Sequence, residues 1–356
     1  MKILITGHTG YIGRSLTTHL TGICGHTVIG VSRKGTSKPN PAPESITWDE
    51  LDSVQGIECI IHLAGMAIEE HGRSHEHDYF RINTELTQTI YDFFLRSAAH
   101  SFIFFSSIKA AAEVSDIPLT EEETPHPVSA YGRSKQQAEQ YILSHLPGDP
   151  GRQRGPALTN LTAGRRNVYI LRPCMVHGPG RHGNLKSLFN YIRKGFPWPF
   201  FNLDNHRSYL SMENLNYIIG EFLNPKPDIP VRYFGPLTRR HVLPSHRHVL
   251  SSRRHASHAP SGIYHLCDDD PLSATHIIAM MGEVLGRKPA ALRLPAWFIH
   301  FAAVTGTALH LPFNRMTVNK MTGNLIVSNS RIKSALKISA LPVTAEQGMH
   351  DTLASF

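Results

Sequence analysis

Cysteine is scarce in this chain of 356 residues: Cys24, Cys59, Cys174 and Cys267 are all there are, with no Cys-x-x-Cys and no close pair. That spacing offers neither a zinc ribbon nor the framework of a small secreted domain, and it fits a reducing compartment. Charge is modest as well, 18% of residues against 41% hydrophobic, which excludes a globally disordered chain. No signal-like apolar region opens the sequence, because Met1-Lys2-Ile3-Leu4-Ile5 runs straight into Gly7; a cytoplasmic start is predicted. The longest C-terminal apolar stretch, Leu294 to Leu311, is broken by His300, Thr305 and Gly306. It falls short of the ~20 residues of a spanning helix, so no transmembrane segment is expected. The length predicts one large or two medium domains, with core enough to need no staples.

Acidic residues are missing from two stretches. Gly151 to Arg166 holds four arginines and Ile229 to Cys267 six, neither with an Asp or Glu. These ten exceed the chain's net charge of +8, so the basic character belongs to two Gly-, Pro- and Ser-containing insertions and the rest is slightly acidic. Between Arg239 and Pro260 there is no Phe, Tyr or Trp, and without aromatics for base stacking no nucleic-acid partner is expected. His241, His246, His248, His255 and His258 lie there without carboxylate or thiol companions, so no metal is expected and a solvated, partly disordered loop is.

What is present is alternation. Apolar runs at 2–6, 26–31, 59–63, 102–105 and 168–171 read as strands, and 11–20, 79–96 and 131–145 as helices. Continuous apolar strands separated by helical periods predict an α/β fold with a doubly wound parallel sheet. Beyond about residue 178 short helical segments (185–194, 213–223, 273–285, 297–309, 344–354) alternate with loops and single strands, predicting a smaller mixed α/β lobe.

ITGHTGYIG closes the first strand, with Gly7, Gly10 and Gly13 spaced three apart at the start of a helix. In a β-α-β unit this is the arrangement that brings backbone amides to a pyrophosphate at a helix N-terminus, so a Rossmann-type dinucleotide domain is expected over 1–178, with an insertion at about 148–166. The remaining 179–356 then form a substrate lobe, carrying an insertion at about 231–259. The second strand ends Val31-Ser32-Arg33-Lys34, with no acid to meet a ribose 2′-hydroxyl. Two cations there favour NADP over NAD.

Tyr131-Gly-Arg-Ser-Lys135 places a phenol and an ammonium at i and i+4 on one helical face. A nearby cation favours the phenolate and brings the group closer to proton exchange with a hydroxyl. Ser106 and Ser107 end the fourth strand, where ligands sit in such sheets.

These residues, with HLAG at 62–65, ILRPCMVHGPG at 170–180, Gly183-Asn184 and Asn205-His-Arg-Ser208, resemble the extended short-chain dehydrogenase/reductase family in its nucleotide-sugar epimerase and reductase branch. The resemblance covers nearly the whole chain except the two Arg-rich stretches. It implies Tyr131 as catalytic acid/base, Lys135 as holder of the nicotinamide ribose, and Ser107, with Ser106 as its competitor, as partner of the reacting oxygen. It further implies Gly7, Gly10, Tyr11, Ile12 and Gly13 at the pyrophosphate, Leu63, Ala64 and Gly65 on the adenosine side, Pro173 at the nicotinamide edge and Arg33 at a 2′-phosphate. Asn184 and Arg207 match positions that contact the substrate's nucleotide diphosphate, for which an Arg fork is suited.

Sugar dehydratases of that family carry an Asp-Glu pair directly after the active-site hydroxyl residue, whereas Ile108 and Lys109 stand here. Dehydration is therefore disfavoured. The expectation is 4-epimerisation of a UDP-hexose or UDP-N-acetylhexosamine, with a lipid-linked sugar as an alternative substrate and a homodimer as the assembly common in the family. An NADPH-dependent 4-keto reductase is the nearest alternative, and a non-catalytic NAD(P)-sensing protein the alternative of another class.

Overall fold

The structure, a computed structural model, describes residues 1–33, 44–67, 76–146, 166–180, 183–198, 205–223, 259–290 and 323–356. Among the described residues seven strands form the central sheet: β1 (Lys2–Thr6), β2 (Thr27–Val31), β3 (Glu44–Ile46), β4 (Cys59–His62), β5 (Ser101–Phe105), β7 (Asn167–Pro173) and β11 (Gly262–Leu266). Their order is β11-β7-β5-β4-β1-β2-β3, and every pairing is parallel. The chain steps outward from β1 to β3 and returns on the other side as β4. The crevice at the carboxyl ends of β1 and β4 is thus the switch point of the sheet, where ligands bind in this architecture.

The strands read as continuous apolar runs because both faces are covered. Side chains alternate across a strand, so Ile3 and Ile5 point to one layer and Leu4 to the other. The first layer comprises α1 (Tyr11–Gly22) and α6 (Met212–Leu223), which bury Leu16, Leu20, Leu215, Ile218 and Ile219. The second comprises α3 (Leu86–Arg96) and α4 (Ala130–Ser144), with Ile90, Tyr91, Phe94, Ala138 and Ile142 against Phe102 and Phe104. A short helix α2 (Glu76–Tyr79) leads into α3 through a π-helical turn, Phe80–Glu85. This is the Rossmann-type doubly wound sheet that the alternation predicts.

A mixed sheet joins it. Its order is β12-β9-β13-β6, built from β6 (Ser115–Leu119), β9 (His206–Arg207), β12 (Leu272–Ser273) and β13 (Leu325–Val327). Beside it β8 (Met175–His177) pairs with β10 (Tyr209–Ser211). Helices α5 (Asn184–Arg193), α7 (Ala274–Val284) and α9 (Ala345–Ala354) enclose a separate core of Leu185, Phe189, Ile278, Met281, Met349 and Leu353. Helix α8 (Ser330–Leu336) instead packs Ile332 on the central sheet. The two halves of the chain exchange strands: β11 completes the first sheet from beyond residue 260, while β6 enters the second from before residue 120.

The Arg-rich insertions expected at about 148–166 and 231–259, Lys34, the apolar 294–311 stretch and the helix expected at 297–309 lie wholly or almost wholly outside the described residues. No described helix is long and apolar enough to cross a membrane.

Candidate active site

Gly7 turns the chain out of β1 at φ +72°, and a Cβ there would stand 2.7 Å from the Ala64 backbone nitrogen. Gly10 donates its N–H to Gly7 O at 3.0 Å and forms the extended N-cap of α1, whose first turn carries no acid. At Gly13 a Cβ would stand 2.6 Å from the His8 Cα, so only glycine lets α1 start this close to the turn. The result is a helix N-terminus free of negative side chains behind a turn that has no room for a side chain at Gly7 or Gly13. An anionic diphosphate fits such a place. Tyr11 and Ile12 open the helix, and Leu63, Ala64 and Gly65 line the facing end of β4.

That end is tied by hydrogen bonds the sequence did not announce. Ala64 N donates to Thr6 Oγ1 at 3.2 Å, Thr6 Oγ1 bonds His62 Nδ1 at 2.6 Å, and His62 Nε2 bonds Thr87 Oγ1 at 3.0 Å. Thr87 in turn donates to Asn83 O at 2.6 Å. Read along the chain, the donors leave His62 as the Nε2–H tautomer, accepting at Nδ1. Burial pushes its pKa down to about 3, helped by the Lys135 charge. The ring is stacked on Phe104 and stays neutral.

Ser107 and Tyr131 come together. Ser107, two residues past β5, is the N-cap of a 3-10 turn and accepts Lys109 N at 3.2 Å, and its hydroxyl reaches the Tyr131 phenol closely enough to lower the phenol pKa. Tyr131 sits in the first turn of α4, capped by Ser129, whose Oγ accepts Gly132 N at 3.2 Å. Burial raises the phenol pKa, the Ser107 hydroxyl opposes this, and Tyr79, edge-on at 6.3 Å between ring centres, adds to it. The free chain therefore holds a protonated Tyr131. Lys135, one turn on, donates from Nζ to Phe105 O at 2.9 Å and lies 4.9 Å over the Phe104 ring. Burial lowers its pKa to about 8, with Glu139 pulling upward. A Cβ on Gly65 would lie 3.1 Å from this nitrogen, so Lys135 reaches the crevice where the glycine turn and β4 meet.

Ser106 faces elsewhere, because adjacent strand residues point to opposite sides. Its hydroxyl donates to the buried Glu139 carboxylate, away from Tyr131. Pro173 closes β7 opposite Leu266 of β11. Arg33 is exposed just after β2, and Asn184 is exposed at the start of α5. Arg207 donates to Gly323 O at 2.9 Å in the second sheet; burial pushes the thiol of Cys174, the residue after Pro173, well up, and the Arg207 charge offsets a small part of this. Arg207 thus reaches the same end of β7 from the other lobe.

Asn83, absent from the sequence-based candidates, anchors the π turn. Its Nδ2 donates to Met66 O and Ser134 Oγ, both at 3.0 Å, and its Oδ1 accepts Met66 N at 2.8 Å. It links the loop after β4 to α4 beside Lys135. Only the polar residues within the helical stretch 79–96 hinted at it, and nothing local marks which of them turns inward.

Residues 3–213 match the model of the NAD dependent epimerase/dehydratase family; the chain belongs to that family and is an extended short-chain dehydrogenase/reductase in type. The UDP-glucose 4-epimerase of Vibrio cholerae is 28% identical over 228 residues, 60% of this chain and 64% of that protein. The chain spans about half to just under two thirds of the length of the first curated relatives it matches. In fold it resembles a UDP-glucuronic acid 4-epimerase from Bacillus cereus solved with NAD, at TM-score 0.67 and 16% identity, covering 100% of this chain and 97% of that one. The human epimerase family protein SDR39U1, solved with NADPH, is equally similar, at TM-score 0.67, 17% identity and 99% of both chains.

Proposed function

We propose that this chain epimerises carbon 4 of a nucleotide-linked hexose, a UDP-hexose or UDP-N-acetylhexosamine, through a transient 4-keto sugar. The observation that carries this is the meeting of Ser107 with the buried Tyr131 phenol, whose pKa it lowers, and of Lys135 one turn on, which donates to Phe105 O at 2.9 Å at the carboxyl end of β5 and faces the glycine turn. The residues fit NAD(P): Gly7, Gly10, Tyr11, Ile12 and Gly13 at the α1 N-terminus would hold the diphosphate, Leu63, Ala64 and Gly65 the adenosine side, Lys135 the ribose and Pro173 the nicotinamide edge. When bound, the dinucleotide supplies reversible hydride exchange at the sugar carbon. Tyr131 exchanges a proton with the 4-hydroxyl, and Ser107 holds that oxygen in line. Lys135 as a cation favours the phenolate whenever Tyr131 gives up its proton. Ile108 and Lys109, in place of an acid–base pair, leave water elimination without its catalysts. Asn184 and Arg207 hold the nucleotide diphosphate from the second lobe.

Arg33 favours NADP, because it stands exposed just after β2, where it would meet a ribose 2′-phosphate, and no acid follows the strand there. That supports a second reading, a 4-keto sugar reductase using NADPH. Residues 1–178 serve the cofactor and 179–356 the substrate, with β11 and β6 exchanged between them. The test is to incubate the protein with UDP-hexoses and UDP-N-acetylhexosamines without added reductant and resolve the products by chromatography. A carbon 4 epimer that disappears in Tyr131→Phe supports the epimerase. No conversion, with consumption of NADPH on 4-keto sugars, supports the reductase. A Tyr131→Phe protein with every activity intact removes both.

A further inference from the structure

One turn beyond Lys135 on α4 stands Glu139, its side chain only 2% exposed. Tyr131, Lys135 and Glu139 follow one another at intervals of four on a single helical face. The Glu139 carboxylate accepts the Ser106 hydroxyl, Arg172 Nε at 3.0 Å and Arg172 Nη2 at 2.6 Å. Arg172 is itself buried, and its Nη1 lies 3.4 Å from His265 Nε2. Three site-bearing segments therefore meet at one carboxylate. These are β5 through Ser106, next to Ser107; α4 itself; and β7 through Arg172, next to Pro173.

A buried ion pair adds little stability over an apolar pair of the same shape. Its place beside the buried ammonium gives it another use. From β5, Lys135 meets the Phe105 carbonyl and the Phe104 ring; from β4, it meets His62, which is neutral. The loop after β4 brings Gly65, with the Asn83 amide close by. On α4 the neighbours are Tyr131, protonated in the free chain, and Glu139, which supplies the opposing negative charge. Beyond Glu139, Arg172 is neutralised by the same carboxylate, and His265 is kept neutral by burial.

We propose that Glu139, clamped by Ser106 and Arg172, is a positioning residue that keeps Lys135 a cation and fixes Ser107, Tyr131 and Pro173 in one register. The proposal rests on Lys135 belonging to the active site and adds to that reading. Without the carboxylate, only the Phe105 carbonyl and the Phe104 ring oppose burial at Lys135, and a neutral amine no longer supports the phenolate.

The test is a pH titration of Lys135 in the full chain carrying lysine labelled with carbon-13 at Cε, the signal assigned by its loss in Lys135→Arg. Glu139→Gln is expected to move the Lys135 midpoint down by roughly one pH unit, whereas Glu139→Asp stays near the parent value. Glu139→Gln strands a buried Arg172, so the double variant Glu139→Gln/Arg172→Met removes both charges and is expected to keep the downward shift. The alkaline limb of kcat/KM should move with the titration, which a loss of fold or packing does not produce. An unmoved Lys135 midpoint in both variants overturns the proposal, whatever the activity. A shifted midpoint in a protein that converts no UDP-sugar overturns the function reading and leaves the role of Glu139 standing.

Discussion

His62 makes the pH dependence of folding a direct test of the site's hydrogen-bond chain. Its folded pKa is about 3, below the ~6.5 of an unfolded histidine. The unfolded chain therefore takes up the proton first, and stability falls as the pH drops below about 6.5, continuing until about 3. At pH 5 the imidazole is protonated almost only in the unfolded state, a loss of about 2 kcal/mol relative to pH 7.5. That is a sizeable part of the ~5–15 kcal/mol typical of a folded protein. The remedy within the structure is His62→Gln, a neutral group able to meet both the Thr6 and Thr87 hydroxyls. Denaturant unfolding of parent and variant at pH 7.5 and 5.0, followed by circular dichroism, isolates the effect. His8, His19, His26 and His265 are also lowered by burial, but they remain in both proteins and cancel in the comparison. His62→Gln should be less stable at pH 7.5 yet lose about 2 kcal/mol less on acidification. Equal losses in the two proteins would show that His62 is charged in the folded state and that the Thr6–His62–Thr87 chain is wrong.

The two serines at the end of β5 should separate: Ser107→Ala lowers kcat by roughly 10²-fold or more with little change in Tm, while Ser106→Ala mainly costs about 1–2 kcal/mol of stability by thinning the shell of Glu139. The reverse pattern would exchange their roles. Gly13→Val forces a side chain against the His8 backbone, an overpacking of about 1–3 kcal/mol, and should weaken NADH binding in a fluorescence titration; undiminished binding would place the dinucleotide elsewhere. Arg33→Ala should weaken NADPH roughly tenfold and leave NADH nearly unchanged, since only the 2′-phosphate loses a charge-assisted partner. An equal effect on both cofactors would remove the argument for NADP.

The readable parts of the chain were those whose partners are close in sequence. The glycine turn lies within seven residues of one strand–helix junction, and Tyr131 and Lys135 are one helical turn apart, so spacing alone places them. Strands buried on both faces announce themselves by continuous apolar runs, as Cys59–His62 does. What stayed hidden depends on distant pairings. Thr6, His62 and Thr87 are ordinary polar residues until β1, β4 and α3 come together. Glu139 looks like a solvated helix residue until Arg172 reaches it from β7. Ser106 and Ser107 cannot be told apart without knowing which face each presents. β6, with Asp116 and Pro118 inside it, has the composition of a loop, and its pairing with β13 far along the chain makes it a strand.

Because β11 is threaded into the sheet from the far half of the chain, the first half cannot finish folding by itself during synthesis. Until Gly262–Leu266 leaves the ribosome, β7 presents an unpaired and strongly apolar edge to the cell. A fragment ending near residue 178, although it contains the glycine turn, Ser107, Tyr131 and Lys135, would expose that edge permanently and would be prone to stick to other copies of itself. The proposed catalytic residues lie in the first half of the chain, but the sheet that carries them is completed by the second.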